Sequence, residues 1–472
     1  MEMPTVTDAA ALIRTGLLSS QELTRTCLEA IRDQNPALNA FVFVDEEKAV
    51  AAAQRVDAAI RTGGVSELGP LAGVPFGVKD LDDAAGMPTT RGSRWFADAP
   101  LKTSDSIHVG RLKRAGAIAI GKTATPEFGA WAYTASPLLG VTRNPWDTER
   151  TPGGSSGGSS AAVSSAMVPF ATASDGGGSI RTPASFTGLV GLKCTYGRIP
   201  TLGDTHLAQN SVVGSLTTTV RDSALLLDVM AGPDSRDRTS LPEPGISYTE
   251  AIDTVDLSGY RVAWSSNLGF AIVDSRVAAR CHEAALDLVS SIDAVLLERP
   301  IALEDYTGTY VAVEGVDKFV GVERDLWENH LDELDPRAAP GWAAMRDRTL
   351  PWAARVEFNR RRLVQKVAAI FEDVDLIVTP MSSMPPFAAA GPMPTEIEGI
   401  KVHGAMSVVL AMLANLANLP AISVPAGLVD GVPVGLQIIA PRFREDLLLA
   451  AAARYELQRP WPRHHPLDTD IG

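Results

Sequence analysis

The sequence predicts a layered α/β fold, and three observations predict it. Short apolar, strand-like segments alternate with a helical one between residues 70 and 120. Strand texture returns after residue 374. Apolar material runs the whole length with no linker-like stretch, so one large domain over 1–472 is preferred to two. With 472 residues, 45% of them hydrophobic and 21% charged, the chain has ample material for a large core.

Residues 8–60 read as helical, making 1–65 an N-terminal helical part. Ser19 and Glu22 have capping-box spacing, and Leu23, Cys27 and Ile31 follow at i, i+4 and i+8 along one face. Residues 46–60 are alanine-rich and periodic, a second helix. Residues 71–78 form an apolar strand closed by Lys79 and Asp80. A helix over 105–115 and a strand over 117–120 follow. A helix over 160–169 comes directly after a glycine-serine run, and 224–231 is another buried helix. The region 295–370 is charged and carries Trp327, Trp342 and Trp352 among polar residues. It reads as a helix and loop cover over one side of the core. Residues 374–380 are a strand ended by proline. Strands over 421–425 and 434–439 flank the turn Asp430-Gly431, and 447–457 is a closing helix.

The formal net charge of -14 argues against a nucleic-acid groove or an anionic membrane as main partner. The short basic cluster Arg360-Arg361-Arg362 reads as a solvated helix face. Cys27, Cys194 and Cys281 are widely spaced with no CxxC, so neither a disulfide framework nor a thiolate metal site is expected. No apolar run is long enough to span a membrane and no signal-peptide pattern opens the chain. A cytoplasmic protein is the expectation.

The chemistry points to two glycine-serine runs. Residues 153–160 read Gly-Gly-Ser-Ser-Gly-Gly-Ser-Ser, and 175–181 read Asp-Gly-Gly-Gly-Ser-Ile-Arg. Such runs bring backbone N–H groups and hydroxyls together at one point. Gly176, Gly177 and Gly178 let the chain turn sharply before Ser179. Their amides can converge on a developing oxyanion. From pattern alone, Ser179 is an acyl-transfer nucleophile, part of an anion cradle, or a structural turn. A phosphate loop would want Gly-Lys-Ser/Thr, which is missing here. A serine nucleophile needs a base. None of the seven histidines adjoins a glycine-rich turn. Lys79 follows an apolar strand, where burial would lower its proton affinity, so it is the better base; a surface Lys-Asp pair is the plainer alternative.

Residues 153–181, with Lys79 upstream, closely resemble the amidase signature family. Further matching blocks are 121–129, Asn144-Pro145-Trp146, 188–193, Gly197-Arg198, 375–380, 420–425 and 433–441, so the resemblance covers nearly the whole chain. It implies the amidase signature fold, an α/β architecture with a central mixed twisted sheet covered by helices on both faces. It implies a Ser-cisSer-Lys triad, with Ser179 as nucleophile, Ser155 as bridging serine after a cis peptide bond, and Lys79 as general base. The amides of Gly176, Gly177, Gly178 and Ser179 match the oxyanion hole. Ser156, Asp175, Arg181 and Thr172 are expected to brace the site. The reaction implied is cleavage of small acyl or aryl amides, without metal or cofactor. The alternative is the glutamine-hydrolysing subunit of a tRNA-dependent amidotransferase. No direct nucleic-acid or membrane contact is expected. Dimers are common among family members. Trp131, Tyr133, Phe319 and Trp327 are candidate aromatic pocket liners, though such residues more often belong to a core. Three departures stand out: Gly176 where the family commonly has threonine, Asn418 where it has glycine, and Cys194 where it has proline.

Overall fold

The computed structural model describes residues 2–64, 68–202, 209–298, 300–321 and 324–465, without the side chains of 317–321, 324 and 327. Eleven strands form one sheet: β1 (Phe41–Val44), β2 (Pro75–Lys79), β3 (Ile118–Thr123), β4 (Phe170–Asp175), β5 (Val190–Lys193), β6 (Val212–Thr217), β7 (Arg261–Trp264), β8 (Val295–Leu297), β9 (Leu376–Pro380), β10 (Ala421–Val429) and β11 (Val432–Ile439). Their order across the sheet is β1-β3-β2-β4-β6-β5-β10-β11-β9-β7-β8. β2 pairs in parallel with both β3 and β4, and β7 pairs in parallel with β8 and β9. The other neighbours are antiparallel, so the sheet is mixed.

Alternation along the strands puts a core on each face. Leu376 and Val378 of β9, Ile422 and Val424 of β10, and Leu436 and Ile438 of β11 point into one cluster. Ile377, Ala421 and Ile439 point into the other. The N-terminal helices and helices Val220–Met230, Ser275–Ser291 and Glu445–Gln458 pack on the first face. Helices Thr307–Gly321, Leu350–Ile370 and Val409–Leu416 pack on the second.

The N-terminal part is not wholly helical. Helices Val6–Arg14, Ser20–Leu38 and Glu46–Arg61 form, and Ser19 caps the second as its spacing predicts, accepting from Glu22 N at 3.3 Å. Between them the Phe-Val-Phe-Val run of β1 pairs antiparallel with β3 as an edge strand. Four residues of aromatic and β-branched type are enough for a strand once a partner edge is offered. The cover region likewise opens with edge strand β8 before its helices begin. Arg360 is a further correction. It is 7% exposed, and its guanidinium donates to Leu416 O at 2.9 Å and to Asn418 Oδ1 at 3.4 Å. Arg361, paired with Glu357, keeps the expected solvated position.

The hairpin at Asp430-Gly431 forms as expected, both residues adopting positive φ (53° and 78°) between β10 and β11. Asn418 also sits at positive φ (56°). Asparagine tolerates the left-handed region better than most residues, so it can stand where the resemblance implies glycine. Cys194 is buried, and burial pushes its thiol up to about 12, so it is a packed thiol and not a reactive one.

Candidate active site

Four pieces of chain meet at the carboxyl end of β2 and β4. Lys79 ends β2, in a strand buried along its whole length. Helix Gly157–Ser164 begins inside the first glycine-serine run, earlier than its composition predicts. Its residues are small and all buried, so it lies close over the sheet. Ser159 Oγ donates to Thr172 O of β4 at 2.7 Å. That docking presents Ser155 and Ser156, just ahead of the helix, to the end of β2. The Gly154–Ser155 peptide bond is cis, as the resemblance implies.

Lys79 is completely buried, and its Nζ is ringed by three hydroxyls: Ser155 and Ser156 at 2.8 Å each and Ser174 at 2.9 Å. Burial lowers the ammonium's proton affinity from 10.5 to about 7, against the opposing pull of Asp82 and Asp175. Half of the amines are therefore uncharged near neutrality. A neutral amine has two hydrogens and one lone pair, so one of the three hydroxyls must donate to it. Ser156 Oγ donates to Ser174 O at 3.4 Å. Ser155 and Ser174 are left to face the lone pair.

Beyond β4 the chain passes through Gly176, Gly177 and Gly178 to Ser179. Gly178 adopts φ +120°, a conformation closed to residues with a side chain. Asp175 organises this turn. Its carboxylate accepts Gly178 N at 2.7 Å, Ile180 N at 3.2 Å and Arg181 Nε at 2.9 Å. The Arg181 guanidinium also reaches Ala411 O at 2.9 Å and Asn415 Oδ1 at 2.7 Å. Burial alone would push the Asp175 carboxyl up, but Arg181 more than offsets this and holds it well below the usual range. These contacts tie Asp175 and Arg181 to each other and to the turn between them. The oxyanion expectation narrows, since the Gly178 hydrogen is directed at Asp175. Gly176 is buried, and its carbonyl accepts from the Tyr310 hydroxyl at 3.4 Å.

Ser179 is partly exposed and opens on a cavity of about 250 Å³. Its wall includes Gly154, Gly177, Thr182, Trp131, Tyr310, Trp342 and Met412, with Glu314, Arg337 and His403 as its ionisable members. Trp131 lines the cavity. Tyr133 does not: it is 1% exposed and lies behind Trp131, their rings stacked at 5.9 Å, with the Arg337 guanidinium 5.5 Å from the Tyr133 ring centre. Arg337 is itself clamped by Asp335, with Nε 2.8 Å from Oδ1. The side chains of Phe319 and Trp327 lie outside the described residues.

Thr172 lies under the lysine, where its hydroxyl oxygen accepts Lys79 N at 2.8 Å and its hydrogen goes to Asp82 at 2.9 Å. Ser174, Tyr310 and Asp82 escaped the sequence reading, as did Trp342 and Met412 of the cavity wall. Ser174 had a usable signal, standing beside Asp175 at the end of a strand whose next residue begins the turn. Tyr310 and Asp82 had none, because chain separation hides their contacts.

The sequence and the fold match known proteins. A family model described as Amidase matches residues 22–449. An acylamidase of Rhodococcus erythropolis is 36% identical over 98% of this chain and 97% of its own. The A subunit of the glutamyl-tRNA(Gln) amidotransferase of Pseudomonas fluorescens (strain SBW25) is 34% identical over 99% of both chains. The crystal structure of a bacterial aryl acylamidase of the amidase signature family superposes with a TM-score of 0.88 at 26% identity, covering 97% of each chain. A buried lysine among serine hydroxyls, a glycine-framed serine facing a cavity and likeness along the full length lead to one conclusion: this chain belongs to the amidase signature family and is a hydrolase of amides.

Proposed function

We propose that the protein cleaves small acyl or aryl amides through an acyl-enzyme on Ser179. The observations that carry this reading are the Lys79 amine held 2.8 Å from Ser155 and the opening of Ser179 on a largely apolar cavity. Neutral Lys79 takes the Ser155 proton as Ser155 takes that of Ser179, and Ser179 Oγ bonds to the carbonyl carbon. The oxyanion is met by backbone amides of the turn, with Gly176, Gly177 and Ser179 as the donors. Ser155 then returns a proton to the leaving nitrogen, the C–N bond breaks, and ammonia or an amine departs. Water reverses the relay and frees the acid.

The cavity supports an apolar acyl or aryl group. Trp131, Trp342 and Met412 give it apolar wall, and Arg337 is already committed to Asp335. A second reading, glutamine hydrolysis within a tRNA-dependent amidotransferase, is favoured by the 34% likeness to a protein of that kind. We further propose that helices within 295–370 cover the site, since Tyr310 and Trp342 come from them. A panel of anilides, aliphatic amides and glutamine, assayed on the protein alone, tests the assignment. Turnover of anilides well above glutamine is expected. Glutaminase activity that appears only with tRNA and a partner protein would overturn the first reading in favour of the second.

A further inference from the structure

Behind the lysine lies an ionisable pair that the proposed cycle does not use. Asp82, in the turn after β2, is 3% exposed, and His108, on helix Ile107–Arg114, is 2% exposed. His108 Nε2 stands 3.2 Å from Asp82 Oδ2. The same carboxylate oxygen accepts the Thr172 hydroxyl that in turn accepts Lys79 N. Burying an acid and an imidazole together costs free energy that two apolar side chains would not. Their contacts therefore need a reason beyond packing.

The charges around them supply it. Neighbouring carboxylates each have their own strong base. Asp80 faces Lys122 at 3.3 Å, Asp83 faces Lys102 at 3.3 Å, and Asp175 faces Arg181 at 2.9 Å. Lys122 Nζ also donates to the Asp82 backbone carbonyl at 2.7 Å. The nearest ionisable group to the Asp82 carboxylate is an imidazole, with the Lys122 and Lys79 amines also in electrostatic reach. Burial pushes its carboxyl up, but His108, Thr172 and Lys79 together hold it below the usual range, so it stays charged. A charged carboxylate this close favours the ammonium form of Lys79, which is the idle form of a base.

We propose that Asp82 and His108 are a positioning dyad for Lys79: the carboxylate fixes the lysine backbone through Thr172, and the imidazole beside it weakens the field that the carboxylate exerts on the amine, so that the amine is free to accept a proton. This rests on Lys79 being the general base. The two members then act on the lysine with opposite sign. Without His108 that field is not weakened and the amine holds its proton more tightly. Without the carboxylate's charge the amine releases it more readily.

The test follows Lys79 directly, by NMR titration of protein labelled with ε-¹³C-lysine, the signal assigned by its loss in Lys79→Arg. Asp82→Asn should lower the titration midpoint and His108→Leu should raise it, each by about one unit, a roughly tenfold change in the ratio of free amine to ammonium at a fixed pH. The acidic limb of kcat/KM for an anilide should move in the same two senses. Midpoints that stay put, or move in the same direction in both variants, overturn the proposal. The NMR readout does not depend on turnover, so it separates failure of the dyad from failure of the amidase reading. Should a single variant not fold, the apolar double variant Asp82→Leu, His108→Leu serves. Its midpoint should lie within about half a unit of the wild type, and displacement by about a full unit or more overturns the balance argument.

Discussion

Lys79 is where burial becomes chemistry. An ordinary lysine is charged until far above neutrality, and this one is half neutral near pH 7 because its strand is buried on both faces. The rate of acylation should therefore rise through about pH 7 as the amine loses its proton. Lys79→Ala should remove that rise and cost on the order of 10²–10⁴-fold in kcat/KM. Retention of the wild-type profile in a folded variant would contradict the base assignment. Stability carries the opposite mark. Between pH 7 and 10.5 the unfolded chain binds a proton at this site that the folded chain does not, so this group's destabilising effect is full below pH 7 and fades as pH rises to 10.5. Urea unfolding of Lys79→Met against wild type should show a difference that shifts in the variant's favour as pH falls through this window. At Gly177 the constraint is space. A Cβ there would sit 1.9 Å from the Tyr310 hydroxyl oxygen. Gly177→Ala should displace the turn and cost roughly 100-fold in kcat, the scale of a 1 Å misplacement. Tyr310→Ala in the same chain should recover part of the loss, as steady-state rates would show.

At the scale of elements, the site depends on how β4 hands over to helix Arg181–Thr187. The Asp175–Arg181 pair ties the two across the glycine turn, and both side chains are fully buried. Removing one partner leaves an unpaired buried charge, so Arg181→Met should destabilise the protein by about 3–5 kcal/mol in urea titrations. The same variant should slow acylation by a folded fraction that still binds inhibitor. An unchanged denaturation midpoint would show the clamp to be dispensable. The helix Gly157–Ser164 contributes differently. Its small residues let it lie against β2 and β4, and that close approach delivers Ser155 to the lysine.

Over the whole molecule, sequence made legible what is local. Gly-Ser runs, Lys79 after an apolar strand, the Asp430-Gly431 hairpin and the strands near 376, 421 and 434 all declare themselves within a few residues. The mixed sheet and its helical faces followed from resemblance. Six strands gave no signal strong enough to read. β4, Phe-Ala-Thr-Ala-Ser-Asp, is small and polar yet buried throughout, because its neighbours and not its composition make it a strand. β1 hides between two helices, and β8 opens a charged region. Among site residues the same rule holds. Ser155 and Ser179 lie in recognisable runs. The Thr172 contact to Lys79 spans 93 residues and the Asp82 contact to Thr172 spans 90, distances over which one sequence carries no pairing information. Among the described residues no helix is long and apolar enough to cross a membrane.

The covalent step is the most exposed part of the account. Incubation with an activated acyl ester or fluorophosphonate, rapid quenching and peptide mapping by mass spectrometry would locate the adduct. One label per chain, on Ser179, lost in Ser179→Ala and formed faster as pH rises through 7, is the predicted result. An adduct on another residue, or full amide turnover by folded Ser179→Ala, would contradict it.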